Sequence, residues 1–428
     1  MNELHRLSAT EALQGIRAGK IKAEDLVASC LHRIGEREPL VKAWSFIDAS
    51  GALAHARDLD RVGTQGRLSG IPIAVKDMID TGDMPTQYNS PIYRSYQPFS
   101  DAACVALARR NGGIVLGKTV TTEFASRSPG PTRNPHNPHH TPGGSSSGSA
   151  AAVADYMAPL AFGTQTGGSV IRPAAYCGVV GYKPSFGTIN CSGMKHLAES
   201  LDTIGVLGRS VPDCALLVNA TSGRILPDFA NRSMSALRFG LCRTSRWQEA
   251  SEATHAVLEQ CALALSTKGA IVREVDLPAD FDRLYDEQSL ISGVEASNAL
   301  APELHNHAEL LSEHMRRHLE IYGAVPRVQY SEAMHHAASC RLRFSQYLTE
   351  SGVDVLLTPS APDEAPAGIE RTGSSLFNRN WTLLGLPCIT LPGGRGPHQL
   401  PLGIQLVAGY DADERLLLYA EWVQNALI

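Results

Sequence analysis

Residues 142–184 begin with Pro142-Gly-Gly-Ser-Ser-Ser-Gly-Ser149 and continue through an alanine-rich run to Gly163-Thr-Gln-Thr-Gly-Gly-Ser-Val-Ile-Arg-Pro173. Glycine contributes no side chain to a core and loses much backbone entropy on folding. Two glycine- and serine-rich clusters so close together therefore predict backbone that must approach a reacting group, with hydroxyl groups beside it. We interpret this stretch as an active site and the rest of the chain as its scaffold.

The composition of the 428-residue chain is ordinary for a globular protein, with 43% hydrophobic and 19% charged residues. The formal net charge is -5 without a long run of either sign, so neither nucleic acid nor a membrane surface is expected as a partner. No secretory signal and no apolar run of the ~20 residues that span a bilayer is recognisable. The 9 cysteines are scattered without a C-x-x-C pair, so we expect no disulfide framework and a cytoplasmic location.

Strands and helices are predicted to alternate along the whole chain. Ser8-Ala-Thr-Glu11 has the pattern of a capping box, and a second amphipathic helix is predicted from about Ala23 to Glu36. Residues 285–350 are predicted to be mostly helical and to form a cap that faces the substrate. Because no linker or repeat divides the chain, the pattern predicts one large α/β domain over residues 1–428.

Lys76 follows the short apolar strand Gly70-Ile-Pro-Ile-Ala-Val75, which is an unusual place for a lysine. Its side chain could extend along apolar surface and hold the ammonium group in water. Alternatively, the lysine is desolvated, and a lowered pKa lets it act as a base. The strand alone leaves both interpretations open.

Residues 112–119, Gly-Gly-Ile-Val-Leu-Gly-Lys-Thr, match the phosphate-binding pattern G-x-x-x-x-G-K-[ST]. In a genuine phosphate loop the strand precedes the motif and a helix follows it. Here the variable residues themselves resemble a buried strand, and a loop rich in Pro, His and Asn follows. We therefore predict no nucleotide site.

Histidines occur in two places where a metal site is conceivable. His136, His139 and His140 share a loop, but no partner set at a metal-ligand spacing accompanies them, so we predict a rigid loop without a metal. His314 and His318 stand four residues apart on a predicted helix without the glutamate of a metalloprotease motif. We interpret that pair as a solvated helix face, and we expect no metal or other cofactor.

Gly144-Ser-Ser-Ser-Gly148 matches G-x-S-x-G, the nucleophile elbow of α/β-hydrolases. An elbow requires a strand immediately before it and a histidine later in the chain. Pro142 interrupts any strand, and no later histidine stands out. We therefore disfavour an elbow.

The second cluster fits a different hydrolase arrangement. Thr166-Gly-Gly-Ser169 offers consecutive backbone N–H groups with little side-chain bulk, as an oxyanion hole requires. Ser169 is then the candidate nucleophile and needs a base. Lys76 is the natural source of that base, with Ser145 as a proton relay between them.

At this point the sequence resembles the amidase signature family, whose hallmark is a Ser–cis-Ser–Lys triad in a glycine- and serine-rich block. The interval of 24 residues from Ser145 to Ser169 fits that family. The resemblance implies one α/β domain with a mixed central sheet covered by helices on both faces, a small amide substrate, no cofactor and a homodimer. Matching segments recur along nearly the whole chain, at Gly70–Asp77, Gly117–Thr119, Cys177–Pro184, Asp354–Pro359, Phe377–Asn378 and Pro401–Gln405.

Site roles follow from the resemblance, residue by residue. Ser169 is implied to be the acylated nucleophile, Ser145 the serine after the cis bond, and Lys76 the neutral base. The implied oxyanion hole consists of the N–H groups of Thr166, Gly167, Gly168 and Ser169. The resemblance places the signature core at about residues 65–190 and a variable, substrate-facing helical region at about 225–350.

Departures from the family pattern indicate a subgroup. The chain has Gln165 where the family usually has Asp, and its arginine stands at Arg172, one position later than usual. This form is similar to malonamidase-type members, in which the shifted arginine binds a substrate carboxylate. The resemblance thus implies substrate contacts from Arg172, Thr164 and Gln165. For Arg172 the alternative is a structural ion pair under the active-site turn.

Three functions are compatible with these observations. The first is an amidohydrolase for a small amide, with a carboxylated amide such as malonamate as one candidate substrate. The second is the same chemistry on another amide-like bond, such as a carbamate, an aryl amide or a larger xenobiotic. The third is the amidase subunit of a tRNA-dependent amidotransferase, which we rank last because the motif at 165–172 is altered.

Overall fold

The computed structural model describes residues 3–63, 66–224, 227, 229 and 236–427. They form a single α/β domain around one mixed sheet of 11 strands that helices flank, as predicted. The strands are β1 (Trp44–Ile47), β2 (Pro72–Lys76), β3 (Ile114–Thr119), β4 (Leu160–Gln165), β5 (Val180–Lys183), β6 (Thr203–Gly208), β7 (Arg238–Leu241), β8 (Ile271–Glu274), β9 (Val355–Pro359), β10 (Cys388–Arg395) and β11 (Pro401–Ala408).

Fourteen α-helices accompany the strands among the described residues. They are α1 (Ala9–Arg17), α2 (Ala23–Val41), α3 (Ala49–Val62), α4 (Ala103–Arg110), α5 (Ser147–Ala154), α6 (Ile171–Cys177), α7 (Val211–Ser222), α8 (Glu252–Thr267), α9 (Leu284–Ala299), α10 (Ala301–His307), α11 (Glu313–Gly323), α12 (Arg327–Glu350), α13 (Arg379–Leu383) and α14 (Asp413–Leu427). No helix in the described ranges is both long and apolar enough to cross a membrane. All nine cysteines are described, and none of them forms a disulfide.

The strand order is β1-β3-β2-β4-β6-β5-β10-β11-β9-β7-β8. Strand β2 pairs in parallel with β3 and β4, and β7 pairs in parallel with β8 and β9, while the strands between β4 and β9 pair antiparallel. The hairpin β10–β11 lies in the middle of the sheet, between β5 and β9. Two strands from the C-terminal part of the chain therefore lie at the centre of the sheet.

The N-terminal helices follow the predicted pattern with one difference. The Ser8 side chain accepts a hydrogen bond from the N–H of Glu11, and the Glu11 carboxylate accepts one from the N–H of Ser8, so the capping box is present. Helix α2 continues past the predicted end at Glu36 to Val41, although it contains Pro39. The Glu38 carboxylate stabilises this extension, because it accepts hydrogen bonds from the backbone N–H groups of Ala43 and Trp44 after the helix end, at 2.9 and 3.0 Å.

The phosphate-loop pattern at 112–119 lies in a buried strand. Strand β3 extends through its glycine, lysine and threonine, and a Cβ on Gly117 would lie 2.2 Å from the carbonyl oxygen of Phe46 on β1. Lys118 is fully buried, donates a hydrogen bond to Thr86 Oγ1, and places its Nζ 3.4 Å from Asp77 Oδ1. The glycine permits strand pairing and the lysine pairs internally, so the motif forms no nucleotide loop.

The two helices of the glycine- and serine-rich stretch, α5 and α6, are almost completely buried. A Cβ on Gly148 in α5 would lie only 2.1 Å from the carbonyl oxygen of Ala43. Small residues in this stretch therefore let α5 approach neighbouring backbone, in addition to any chemistry. The substrate-facing role of residues 225–350 stays a prediction. Residue 65, at the start of the predicted signature core, and residues 225–226, at the start of the predicted variable region, lie outside the described residues.

Candidate active site

Lys76 ends β2 and has no exposed surface. Its Nζ donates hydrogen bonds to Ser145 Oγ at 2.7 Å, to Thr164 Oγ1 at 2.7 Å and to the Thr164 carbonyl at 3.3 Å. Burial lowers the pKa of Lys76 well below that of an ordinary lysine; the positive charge of Arg172 lowers it further, and the carboxylate of Asp202 opposes the shift. The interpretation in which Lys76 extends to the surface and keeps its ammonium group in water is therefore wrong.

The two glycine- and serine-rich clusters meet at Ser145 and Ser169. The peptide bond between Gly144 and Ser145 is cis, as the resemblance implies. The N–H of Ser146 donates to the carbonyl oxygen of Ser169 at 3.2 Å, which holds the two serine segments side by side. No hydrogen bond joins the hydroxyls of Ser145 and Ser169 in this part of the described chain, so proton transfer between them belongs to the proposal below.

The turn 166–169 presents free backbone donors. The N–H groups of Gly167, Gly168 and Ser169 donate to no other group in the described chain, and the turn lines a cavity. The carbonyl groups of the turn are held from behind instead, since Gln288 Nε2 donates to the Thr166 carbonyl at 2.9 Å and Thr382 Oγ1 donates to the Gly167 carbonyl at 2.7 Å. Consecutive unpaired N–H groups at a cavity wall are the arrangement that stabilises an oxyanion.

Gln165 and Thr164 lie behind this turn and do not line the cavity, which corrects their predicted contact with substrate. Gln165 Oε1 accepts from the N–H groups of Val170 and Ile171 at 2.8 and 3.0 Å. Its Nε2 donates to Thr382 Oγ1 at 2.9 Å. Gln165 therefore accepts from the first backbone N–H groups of α6, whereas Thr164 accepts hydrogen bonds from Lys76.

Arg172 borders the cavity but binds backbone. Its Nε and Nη2 donate to the Gly144 carbonyl at 3.1 and 2.6 Å, and its Nη1 donates to the Gly373 carbonyl at 2.7 Å. The residue is 7% exposed, and burial lowers its pKa to about 10. Arg172 forms no ion pair within the described residues, so that alternative needs correction: its guanidinium braces the peptide next to Ser145 through carbonyl groups. Two of its N–H bonds are left for another acceptor, so the contact with a substrate carboxylate stays a prediction.

The cavity in front of the turn has a volume of about 1230 Å³. His314 and His318 line it from α11: His314 is exposed, as the predicted solvated helix face requires, and His318 is half-buried. Burial and the nearby charge of Arg127 lower the pKa of His318 to about 4, and the imidazole is therefore neutral at pH 7. The remaining walls come from the turn itself, from residues 125–129, from α9 and from residues 366–379.

The predicted histidine loop is tied to its surroundings by backbone contacts. His136 Nε2 lies 2.9 Å from the Cys177 carbonyl, and His140 Nδ1 lies 2.7 Å from the Ala365 carbonyl. His139 is exposed. These contacts fit the rigid loop that the sequence predicts.

One other group of side chains could present metal ligands together within the described residues. Single ligand atoms of Asp280, His336 and Cys340 lie within 4.8 Å of one another. However, the Arg343 guanidinium donates to the Asp280 carboxylate and lies 3.2 Å from Cys340 Sγ. The positive charge of Arg343 therefore already neutralises the Asp280 carboxylate, the one acidic side chain that would bind a metal here.

Several residues that support the site carry no motif in the sequence. Asp202 accepts a hydrogen bond from Thr166 Oγ1, and its negative charge raises the pKa of Lys76. Gln288 and Thr382 hold the turn, and Arg379 lies in the cavity wall. The one available signal was the matching pair Phe377–Asn378, which immediately precedes Arg379.

A buried lysine, two serines and a row of free N–H groups beside a cavity define a hydrolase-type site on an α/β scaffold. The Amidase family profile matches residues 25–417. A glutamyl-tRNA(Gln) amidotransferase subunit from Halothermothrix orenii is 31% identical to the chain over 475 aligned positions, which cover 99% of this chain and 98% of that protein.

Solved structures agree with this match. A crystal structure of an amidase superposes with a TM-score of 0.89 at 28% identity and covers 99% of this chain and 100% of the other. Native peptide amidase from Stenotrophomonas maltophilia superposes with a TM-score of 0.85 at 26% identity, covering 99% and 97%. The chain belongs to the amidase signature family and is an amide-hydrolysing enzyme.

Proposed function

We propose that this enzyme cleaves a C–N amide bond through an acyl-enzyme on Ser169, with Ser145 as proton relay and Lys76 as base. The observation that carries the proposal is the hydrogen bond of 2.7 Å between the fully buried Lys76 and Ser145, beside a turn with unpaired N–H groups. A desolvated lysine is neutral at a lower pH than an ordinary one and is then able to accept a proton.

The proposed first step forms the acyl-enzyme. Lys76 takes the proton of Ser145, Ser145 takes the proton of Ser169, and Ser169 Oγ attacks the amide carbon. The carbonyl oxygen becomes an oxyanion, which the N–H groups of 167–169 stabilise. The C–N bond then breaks, and the proton on Lys76 returns through Ser145 to the leaving nitrogen.

The proposed second step hydrolyses the ester. A water molecule gives its proton through the same relay to Lys76 and attacks the acyl carbon from the side that the amine has left. Collapse of the tetrahedral intermediate releases the carboxylic acid and returns the proton to Ser169 Oγ. The reaction consumes one amide and one water and yields one acid and one amine or ammonia.

The catalytic groups indicate the reaction more closely than they indicate the substrate. Malonamate is one candidate, because the position of Arg172 in the sequence is similar to malonamidase-type members. Its guanidinium binds two backbone carbonyls here, so we assign it first to the positioning of the Gly144–Ser145 segment. Carbamates, aryl amides and larger amides stay alternatives that the same catalytic groups would serve.

A role within a tRNA-dependent amidotransferase is the second candidate function. It is favoured by one observation, the name of the curated relatives that are 31–32% identical to the chain. That role requires partner subunits, so co-purification of further chains or of tRNA with the native protein would support it. The homodimer and the cytoplasmic location stay predictions.

A panel of primary and substituted amides with detection of released ammonia or amine tests the proposed function. We expect Ser169→Ala to lower kcat at least ~10³-fold, because the nucleophile is lost. Ser146→Ala is the matched control, since Ser146 is the serine that an elbow motif would use, and it should keep most of the activity. If the Ser169→Ala protein hydrolysed amides like the wild type, the proposal would be wrong.

A further inference from the structure

The cavity is strongly basic. Four guanidinium groups line it, and Glu370 is the one carboxylate among the described lining residues. The four arginines are Arg127, Arg172, Arg371 and Arg379. None of them forms an ion pair with an acidic side chain in the described part of the chain. Four guanidinium groups and one carboxylate give the cavity a net positive charge, which is suited to an anionic ligand.

Arg379 differs from Arg172 in what it contacts. Its Nη1 donates to Ser289 Oγ at 3.1 Å and its Nε to Ser375 Oγ at 3.4 Å, so both partners are neutral hydroxyls. Burial lowers the pKa of Arg379, and the nearby charge of Arg127 lowers it further. Arg379 is half-buried and Arg127 is exposed, and the carboxylates of Asp286 and Glu249 partly offset the effect of Arg127 on the pKa of Arg379. An anion placed between the two guanidinium groups would relieve their repulsion.

Arg379 is also close to the reaction centre. A Cβ on Gly167 would lie 3.6 Å from Ser375 Oγ, the hydroxyl to which Arg379 Nε donates. The guanidinium is thus one side chain away from the turn that offers the free N–H groups. A substrate acylating Ser169 in this cavity would pass its remaining atoms along Ser375 and Arg379.

The volume of the cavity indicates the size of the substrate. Pockets of ~300–1000 Å³ hold drug-sized ligands, and this cavity measures about 1230 Å³. Malonamate has few non-hydrogen atoms and would leave most of that volume to water. The basic wall would then face solvent instead of substrate.

We infer that the substrate is an amide with a carboxylate set apart from the scissile bond by a spacer, and that Arg379, with Arg127 beside it, binds that carboxylate and determines specificity. The inference rests on the proposed function. Guanidinium and carboxylate form two parallel charged hydrogen bonds, which a neutral substrate group does not reproduce. In this arrangement Arg172 positions the catalytic segment and Arg379 selects the substrate.

The test compares malonamate, adipamate and the neutral hexanamide in wild type, Arg379→Gln and Arg110→Gln. Arg110 is an exposed arginine of α4 outside the cavity, so its variant removes the same charge without touching the site. We expect wild type to prefer adipamate over both other amides in kcat/KM. In Arg379→Gln the ratio of kcat/KM for adipamate to that for hexanamide should fall by about 10- to 100-fold, while Arg110→Gln keeps the wild-type ratio.

An unchanged ratio in Arg379→Gln, or a wild-type enzyme that prefers malonamate or hexanamide, would overturn the inference. If folded wild type hydrolyses no amide of the series, the wider panel of primary and substituted amides decides about the proposed function separately. Calorimetric titration with adipate then decides about Arg379 alone. Weaker adipate binding by Arg379→Gln than by wild type and Arg110→Gln supports the inference, and equal binding by all three proteins contradicts it.

Discussion

At the residue scale, Lys76 shows how burial changes the chemistry of a side chain. An ammonium group with no exposed surface is disfavoured relative to the neutral amine, even with three hydrogen-bond acceptors around it. The nearby positive charge of Arg172 acts in the same direction. The neutral form that a base requires is therefore reached well below the usual lysine pKa of ~10.4.

This charge coupling gives a pH prediction. Protonated Lys76 accepts no proton, so kcat/KM should fall as the pH falls through the folded-state pKa of Lys76. Arg172→Gln removes a positive charge that disfavours protonation, so the pKa of Lys76 should rise and the acid limb should move to higher pH. A pH profile of kcat/KM for both proteins measures the shift.

The loss of the brace on Gly144 should also lower the Arg172→Gln rate at every pH, so the position of the limb is the decisive readout. A limb that stays in place or moves to lower pH would contradict the coupling. Gln165→Leu is a suitable control, because it disturbs the same turn without changing a charge.

The sequence pointed to the proposed reacting residues but not to the contacts of the residues around them. Ser145, Ser169 and Lys76 follow from spacing and from the chemistry that a nucleophile needs. The roles of Gln165 and Arg172 did not follow, because their hydrogen-bond partners include Thr382 and Gly373, more than two hundred positions away. Side-chain direction in a tight turn depends on such distant partners, which a local pattern does not contain.

At the element scale, the small residues of α5 have a packing role that the sequence suggested only as chemistry. The N–H of Gly148 donates to the Val120 carbonyl at 2.9 Å, and a Cβ at this position would lie 2.1 Å from the Ala43 carbonyl oxygen and 2.5 Å from the Val120 nitrogen. Backbone atoms of two neighbouring segments therefore leave room for a hydrogen atom only.

We expect Gly148→Ala to destabilise the protein by ~1–3 kcal/mol, as other overpacked core substitutions do. Gly35→Ala is the matched control, because Gly35 lies inside α2 with no atom within 4 Å of an added Cβ. Helix propensity predicts that this control raises stability by up to ~1 kcal/mol. Thermal unfolding of both variants measures the difference; equal midpoints would contradict the packing argument.

Helix α11 shows what a polar helix face leaves open when only the sequence is known. His314 and His318 share a face that looks solvated in sequence because polar residues surround it. In the fold, that face is partly solvated, with His314 exposed and His318 half-buried, and it also borders the cavity that the turn 166–169 lines. Periodicity separates apolar from polar faces, but it does not distinguish a polar face in bulk water from one that lines a site.

At the scale of the whole molecule, the site depends on long-range strand order. The C-terminal hairpin β10–β11 inserts between β5 and β9, and the loop and helix before it supply Ser375, Arg379 and Thr382. Alternating elements predicted an α/β domain correctly. They did not predict this order, because pairing between strands hundreds of residues apart leaves no local trace.

The same topology brings the proposed base, relay and nucleophile together from three separate segments. Lys76 comes from β2, Ser145 from the approach to α5, and Ser169 from the turn after β4. Strands β2 and β4 are parallel neighbours, so their carboxyl ends open at the same edge of the sheet. The catalytic groups are thus placed by rigid neighbouring strands instead of by a flexible loop.

Mass spectrometry of acid-quenched enzyme during turnover tests the central claim most directly. The peptide that contains Ser169 should gain the mass of the substrate's acyl group, and this adduct should be absent from Ser169→Ala and slow to form in Lys76→Ala. An adduct on another residue, or steady amide hydrolysis with no acyl-enzyme even under single-turnover conditions, would contradict the assignment of Ser169 as nucleophile.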